Sequence, residues 1–268
     1  MRRKSQQPGS MIQMSWKLLY HVFSKWSAAR IADGVRIYAI GDVHGCSSLL
    51  EQLLALIEAH VAAFPARRPI LVFLGDYIDR GPASSQVIDQ LIFLREHREV
   101  IFLKGNHESY LVEFLGNPAL LPKWFQYGGL DTLRSYGINP RNHFDPKEQG
   151  FLAAALRLAL DKRGHLEFFD HLKTSFLCED FFFVHAGVRP GIPLDQQSEE
   201  DLLWIREDFL HYGGSLGKIV VHGHTPMLHP EVCSNRINID TGAYATGRLT
   251  CLMIERDRMK FISSARLI

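Results

Sequence analysis

The sequence predicts an α/β (α+β) fold, organised as one domain with a helical insert. Three observations predict it. From Arg36 onward, short apolar runs alternate with helical stretches, the pattern of strand and helix in turn. Five of these runs stop in or beside a glycine that stands next to Asp, Asn or His, as strands do when a sheet delivers polar groups to a crevice. Finally, 268 residues at 46% hydrophobic and 22% charged content can bury a sizeable core, which excludes a disordered tail or a disulfide-stapled miniprotein.

Residues 1–34 read as an amphipathic, basic extension, and 35–268 as the single folded domain. Arg2, Arg3 and Lys4 precede Ile12, Trp16, Leu19, Phe23 and Trp26, which recur at steps of four and three and make one helical stripe. Gln13, Ser15, Lys17 and His21 interrupt the stretch and no small-residue cleavage site follows, so a signal peptide is not expected. Such a stripe packs on its own domain or docks on a membrane surface or a partner.

The first strand is expected over Arg36–Ile40. Ser48 with Glu51 has the form of a capping box ahead of Leu49, Leu53, Ile57 and Val61, so a helix follows. Further strands are expected over Ile70–Leu74 and Val100–Leu103, with a helix over Ser84–His97 between them. From Ser109 to Lys173 there are no strand signals, and Pro118, Pro122, Pro140 and Pro146 divide the stretch into helical pieces. Phe176–Cys178 and Phe181–Val184 flank Glu179-Asp180 as a β-hairpin would. Ile219–Val221, Ile237–Ile239 and Leu249–Ile254 complete the strands, with the chain from Thr250 onward extended.

Lys and Arg number 30 against 29 Asp and Glu, a net charge of +1, so nucleic acid is not expected as a partner. Cys46, Cys178, Cys233 and Cys251 are scattered without a CxxC pair, which fits a reducing cytoplasm rather than a disulfide framework. No apolar run is long enough for a transmembrane segment. Composition does not reveal the oligomeric state. The 13 histidines point toward metal or acid–base chemistry.

Position says more than the count. RIYAI ends in Gly41-Asp42-Val43-His44-Gly45, and ILVFL in Gly75-Asp76-Tyr77-Ile78-Asp79-Arg80-Gly81. VIFLK ends in Gly105-Asn106-His107-Glu108, FFFV in His185-Ala186-Gly187, and IVV in His222-Gly223-His224-Thr225. Any one of these is an ordinary turn, and a lone histidine is ordinarily structural. Five together at strand ends are hard to ascribe to coincidence. Carboxylate, imidazole and amide oxygen, with no thiolate among them, suit hard or borderline divalent ions. So many ligands fit two ions about 3.5–4 Å apart sharing a carboxylate.

At these residues the sequence resembles the calcineurin-like metallophosphoesterases. Within them it is similar to the compact bacterial and phage branch of the phosphoprotein phosphatases, from about Arg36 to Met253. The resemblance implies a sandwich of two central mixed sheets flanked by helices, with a dimetal site between the sheets. It implies that Asp42 and His44 bind the first metal, Asp76 bridges, and Asn106, His185 and His224 bind the second. His222 is read as a neighbour of the site, because the family's ligand follows the glycine. Pro226 stands where the GHxH form of the family carries a further histidine, which argues against the cyclic-nucleotide phosphodiesterase type. Two divalent ions are implied, Mn²⁺ first among Mn²⁺, Fe, Zn²⁺ and Mg²⁺.

The expected chemistry is attack on phosphorus by a hydroxide bridging the two metals. His107 is expected to protonate the leaving group, with Asp79 orienting it. Arg80 and Arg206 are expected to hold phosphate oxygens. Arg206 is chosen because Leu203-Trp204-Ile205-Arg206 looks like the family's segment after HAG; the plain alternative is an exposed arginine paired with Glu207 or Asp208. The insert around Trp124, Phe125, Tyr127 and Asp131-Thr132-Leu133 either lids the site or fills its own core, the latter expected for most of its aromatics. Tyr244 is a further residue that could reach the site. The leading expectation is a protein serine/threonine phosphatase acting on phosphorylated proteins or other phosphoesters. The rival is a symmetrical dinucleoside-tetraphosphate hydrolase, which typically lacks the acid of the DRG triplet and ends its third motif in Asp; here Asp79 and Glu108 are present. A metal-binding scaffold without activity is the remaining alternative.

Overall fold

Val35–Ile40 forms strand β1, and its alternation shows how the layers are built. Ile37 and Ala39 enter one apolar cluster while Tyr38 and Ile40 enter another, because successive strand residues point to opposite faces. The computed structural model describes residues 29–141 and 145–265. The stripe expected from Ile12 to Trp26 lies outside the described residues.

Strand β1 pairs in parallel with β2 (Arg68–Phe73), and β2 with β3 (Val100–Phe102). On its other side β1 pairs antiparallel with β9 (Arg248–Glu255), which turns back into β10 (Arg258–Ala265). The second sheet contains β4 (Ser175–Cys178), β5 (Phe181–Val184), β6 (Ile219–His222), β7 (Glu231–Val232) and β8 (Arg236–Asn238), in the order β4-β5-β6-β8-β7. In it β5, β6 and β8 run parallel. The expected strands are all present, and the expected hairpin turns at Glu179, whose φ is 51°. Strand β7 is new; two residues are too few to show periodicity.

The inter-sheet core joins Ile37, Ile70, Val72 and Leu74 to Phe181, Phe183, Val221 and Ile239. Ile31 is fully buried there and its N–H donates to Arg256 O at 3.1 Å, so the packed unit reaches back at least to Ile31. The outer face of the first sheet is covered by α1 (Ser47–Ala63), α2 (Ser84–His97) and the insert. The insert folds as α3 (Asn106–Gly116), α4 (Leu121–Gln126), α5 (Gly129–Ser135), α6 (Pro146–Lys162) and α7 (His165–Asp170). The second sheet's outer face, with Phe182, Val184 and Val220, is covered by α8 (Glu199–Trp204) and α9 (Glu207–Leu210), which contribute Leu202 and Phe209. A short α10 (Ala243–Thr246) precedes β9. This is the two-sheet sandwich flanked by helices.

One local expectation is corrected. Ser48 does not cap α1, because the helix already begins at Ser47 and Ser48 lies inside its first turn. The Cys46 carbonyl accepts from Leu49 and Leu50 N–H instead, both at 3.1 Å. No described helix is long and apolar enough to cross a membrane.

Candidate active site

The parallel strands β1, β2, β3, β5 and β6 all end in one of the five motifs, and their C-terminal ends meet between the sheets. His185 Nδ1 lies 2.9 Å from Leu74 O, and His224 N–H donates to Asp42 Oδ2 at 3.0 Å, so each contact ties one sheet to the other. All six residues expected to bind metal are buried here.

Two clusters of donors share Asp76. In the first, His44, Asp76 and His107 present nitrogen and oxygen atoms within 4.8 Å of one another. His44 Nδ1 is engaged by Ile78 O at 2.9 Å, which leaves Nε2 facing Asp76 Oδ2 at 3.5 Å. In the second, Asp76, His185 and His224 converge in the same way. His185 Nε2 lies 2.9 Å from Asn106 Oδ1, 3.1 Å from His224 Nδ1 and 3.4 Å from Asp76 Oδ1. With the Nδ1 proton of His185 given to Leu74 O, its Nε2 is a bare lone pair. At most one proton, on His224 Nδ1, is then left to share among these acceptors. A cation suits such a set far better than the set suits itself. Asp42 Oδ1 is also buried without a hydrogen-bond partner, a costly state for a carboxylate oxygen unless it coordinates. The donor set therefore fits two divalent ions. The tight cluster around His44 includes His107 and does not include Asp42.

His107 is held from several sides. Its Nδ1 lies 2.7 Å from Asp79 Oδ2, and its backbone N–H, at the start of α3, donates to Asp76 Oδ1 at 3.2 Å. Asp79 is in turn fixed by the insert: Trp124 Nε1–H donates to Oδ2 at 2.9 Å and Thr132 Oγ1–H to Oδ1 at 2.5 Å. Trp124 and Thr132 are fully buried. Trp124 thus fills the insert's core as expected and also orients a site carboxylate. The sequence carried no signal for the latter, because the contact joins residues 45 positions apart.

Glu108 was legible as a motif residue, but its work was not. Its carboxylate accepts from the N–H groups of Gly105, Asp76 and Tyr77 at 2.8–2.9 Å, stapling the GNHE turn to the GDYIDRG turn. Asp240, also buried, stands near Asp42 and accepts from Gly242 N–H at 2.8 Å.

The arginines differ in setting. Arg80 Nη2 lies 3.4 Å from His107 Nε2, and its guanidinium sits 4.7 Å over the Tyr244 ring while hydrogen-bonding the Tyr244 hydroxyl. Tyr244 also meets the His44 ring edge-on at 5.3 Å, so it does reach the site. Arg206 lies in the bend between α8 and α9, exposed, with Nη2 3.4 Å from His224 O and Nη1 3.4 Å from Thr225 Oγ1. Asp208 pairs with Arg189 and Glu207 with His211, so neither acid occupies it. His222 stays apart: its Nδ1 lies 3.1 Å from Gly223 O and its ring packs edge-on against Phe209.

The backbone is strained where the side chains converge. Among the described residues, seven non-glycine positions have positive φ, and five are His44, Asp76, Asp79, Arg80 and His224. Two glycines are required by close approach: a Cβ on Gly105 would meet Asp76 Oδ1 at 2.1 Å, and one on Gly223 would meet Asp42 Oδ1 at 2.0 Å.

The protein's own field keeps the imidazoles expected to bind metal neutral, the form in which they can coordinate. Burial, then the neighbouring His107, lowers His44 to about 3, and burial with His185 lowers His224 to about 2, so both stay neutral. Burial pushes Asp42 well up, helped by Asp240 and Asp76. Burial opposes ionisation of Asp76, but the surrounding imidazoles outweigh it and hold its carboxyl low. Burial likewise opposes charge on His107, and the carboxylates of Asp76 and Asp79 overcome it, so His107 alone of these histidines is raised.

The likeness to known proteins agrees with this geometry. The family model described as calcineurin-like phosphoesterase matches residues 35–254. Among curated proteins, the chain is 29% identical over 239 residues to the asymmetrical bis(5'-nucleosyl)-tetraphosphatase PrpE of Oceanobacillus iheyensis, covering 81% of this chain and 87% of that one. It is 29% identical over 236 residues to the protein of the same name from Anoxybacillus flavithermus, covering 80% and 88%. A solved structure described as a candidate diadenosine tetraphosphatase superposes with a TM-score of 0.55 at 19% identity, covering 87% of this chain and 95% of that one. A cold-active protein tyrosine phosphatase gives 0.53 at 15% identity, covering 88% and 81%. At such identities these two likenesses speak for the fold alone. With the family model spanning most of its length, the chain belongs to the calcineurin-like phosphoesterases.

Proposed function

We propose that this protein hydrolyses bis(5'-nucleosyl)-tetraphosphates asymmetrically, through a dimetal centre. The reaction type rests on one observation above all, the two buried donor clusters that share Asp76. The substrate class rests on the curated relatives, whose likeness runs over most of both chains.

In this reading Asp42, His44 and Asp76 would hold the first ion, and Asp76, Asn106, His185 and His224 the second. When bound, the two ions supply Lewis acidity toward phosphoryl oxygens and an acidified water. Arg80 and Arg206 hold non-bridging oxygens, and Arg80's rotamer is fixed by Tyr244. With both ions bound, a hydroxide whose proton has already gone to solvent would bond to phosphorus as the phosphorus–oxygen bond to the leaving group breaks, and His107 would give its Nε2 proton to the departing oxygen. Asp79 accepts from Nδ1–H throughout and keeps that proton donor aimed. Asymmetric cleavage of a four-phosphate chain leaves a nucleoside monophosphate and a nucleoside triphosphate.

A second reading, a protein serine/threonine phosphatase, is favoured by the buried His107–Asp79 pair. A serine or threonine alkoxide is a poor leaving group and needs protonation, whereas a polyphosphate departs readily without it. The experiment compares diadenosine tetraphosphate with a phosphoserine peptide in Mn²⁺, with products separated by chromatography. AMP plus ATP, formed faster than phosphate from the peptide, is the expected result. Two ADP would mean symmetrical cleavage, and a faster peptide reaction would establish the second reading. Turnover of neither by the metal-loaded protein would leave a scaffold.

A further inference from the structure

Beside the metal-ligand clusters lies a cavity of about 580 Å³ between the insert and α8, within the ordinary size of a small-molecule site. Three aromatic rings form its wall. Tyr110 and Tyr127 stack at 4.8 Å between centroids, and Trp204 stands edge-on to them at 5.3 and 6.5 Å. The wall continues directly into the site: Tyr127 lies 6.1 Å from the His107 ring and Trp204 6.4 Å from the His224 ring. Tyr127 and Trp204 are only half-buried, so their surfaces remain available. Exposed Glu113, Glu200 and Lys123 stand at the rim, Lys123 Nζ lying 5.3 Å from the centroid of the Tyr110 ring, while Glu199 is engaged by Lys104 at 2.7 Å.

We infer that this aromatic corner binds the base of the nucleoside whose own phosphate is attacked, and that it thereby makes the cleavage asymmetric. The inference rests on the dinucleoside-tetraphosphate reading above. Flat bases stack on aromatic side chains, and rim carboxylates accept hydrogen bonds from exocyclic amino groups. Proximity decides which base it is. A base joined to the attacked phosphorus through a single ribose must rest immediately beside the metals. A base separated by further phosphates would need a site farther off. The corner adjoins both His107 and His224, so it suits the near base. Glu113, Glu199 and Glu200 outnumber Lys123 around the corner, so it disfavours a second run of phosphates and leaves the rest of the substrate to extend toward Arg80 and Arg206.

The test uses Tyr127→Ala and Trp204→Ala, with Tyr127→Phe and Trp204→Phe as variants that keep a ring. For each, kcat/KM is measured on diadenosine tetraphosphate and on O-phosphoserine, which has no base. The alanine variants should lower the ratio of the two by about tenfold or more, mostly through KM on the dinucleotide, and the phenylalanine variants should restore it. An equal loss on both substrates, or an unchanged ratio, would overturn the inference. A second measurement separates the corner from the substrate reading. AMP and ribose 5-phosphate are compared as inhibitors of O-phosphoserine hydrolysis. Tighter inhibition by AMP, lost in the alanine variants, supports the base site even if the dinucleotide is not turned over. Equal inhibition by the two overturns it.

Discussion

Nδ1 of His107 lies 2.7 Å from Oδ2 of Asp79, and neither side chain reaches solvent. The same carboxylate receives the Trp124 indole N–H and the Thr132 hydroxyl, so its orientation is fixed by the helical insert. An imidazole placed this way holds its proton and aims its other nitrogen into the site.

His107→Asn should lower kcat on O-phosphoserine, whose alkoxide leaving group needs a proton, by about 10²–10⁴-fold, the usual scale of general acid catalysis, while leaving two metal equivalents bound. Asp79→Asn should act in the same direction through loss of orientation. Metal analysis beside steady-state kinetics makes the check. Because His107 also belongs to the donor cluster with His44 and Asp76, loss of a metal equivalent in His107→Asn would reassign it as a ligand.

Trp124→Phe keeps most of the ring volume and deletes one donor to Asp79. It should cost about 1–3 kcal/mol in urea unfolding, since a buried carboxylate loses a hydrogen bond. Thr132→Ala removes both the hydroxyl that donates to Asp79 and the oxygen that accepts from Asp79 N–H at 2.9 Å. It should lower kcat as well as stability. A wild-type kcat in both variants would show that Asp79 needs no help from the insert.

Metal should stabilise the fold. Returning Mn²⁺ to chelator-treated protein at about 100 times its dissociation constant should add about 2.7 kcal/mol, visible as a rise in Tm. Asp76→Asn should abolish most of that rise, because Asp76 faces both clusters. A full rise in the variant would remove Asp76 from the ligand set.

Gly223→Ala places a methyl group 2.0 Å from Asp42 Oδ1 and must displace it. Metal affinity at the first position should fall about 10–100-fold, as when a ligand's support is disturbed. Gly213→Ala, whose Cβ would meet nothing within 4 Å, is the control and should bind as wild type. Isothermal titration with Mn²⁺ distinguishes the two, and equal affinities would show that Asp42 is not held from this side.

The motifs were readable because each is contiguous. A strand's apolar run and the polar turn that ends it lie within a few residues, so β1 and GDVHG or β2 and GDYIDRG declare themselves locally. Helix Ser84–His97 was legible for the same reason. The start of α1 was misplaced by a Ser-x-x-Glu spacing, because local capping chemistry was outweighed by the turn at Cys46. The supports of the site, Trp124, Thr132 and the grip of Glu108 on Asp76 and Tyr77, act across 31 to 53 positions, where no spacing rule applies.

Sequence alone determined the family, the alternation of strands and helices, and the ten residues to seek at the site. Tertiary structure decided how they meet. It brought the strand ends of two sheets together, left Asp42 Oδ1 without a hydrogen-bond partner, set the Asn106 oxygen against His185 Nε2, and put Tyr110, Tyr127 and Trp204 beside His107 and His224. The physical reason is that ligand type follows from residue identity, whereas burial, orientation and shared proton affinity arise only when distant segments pack and exclude water.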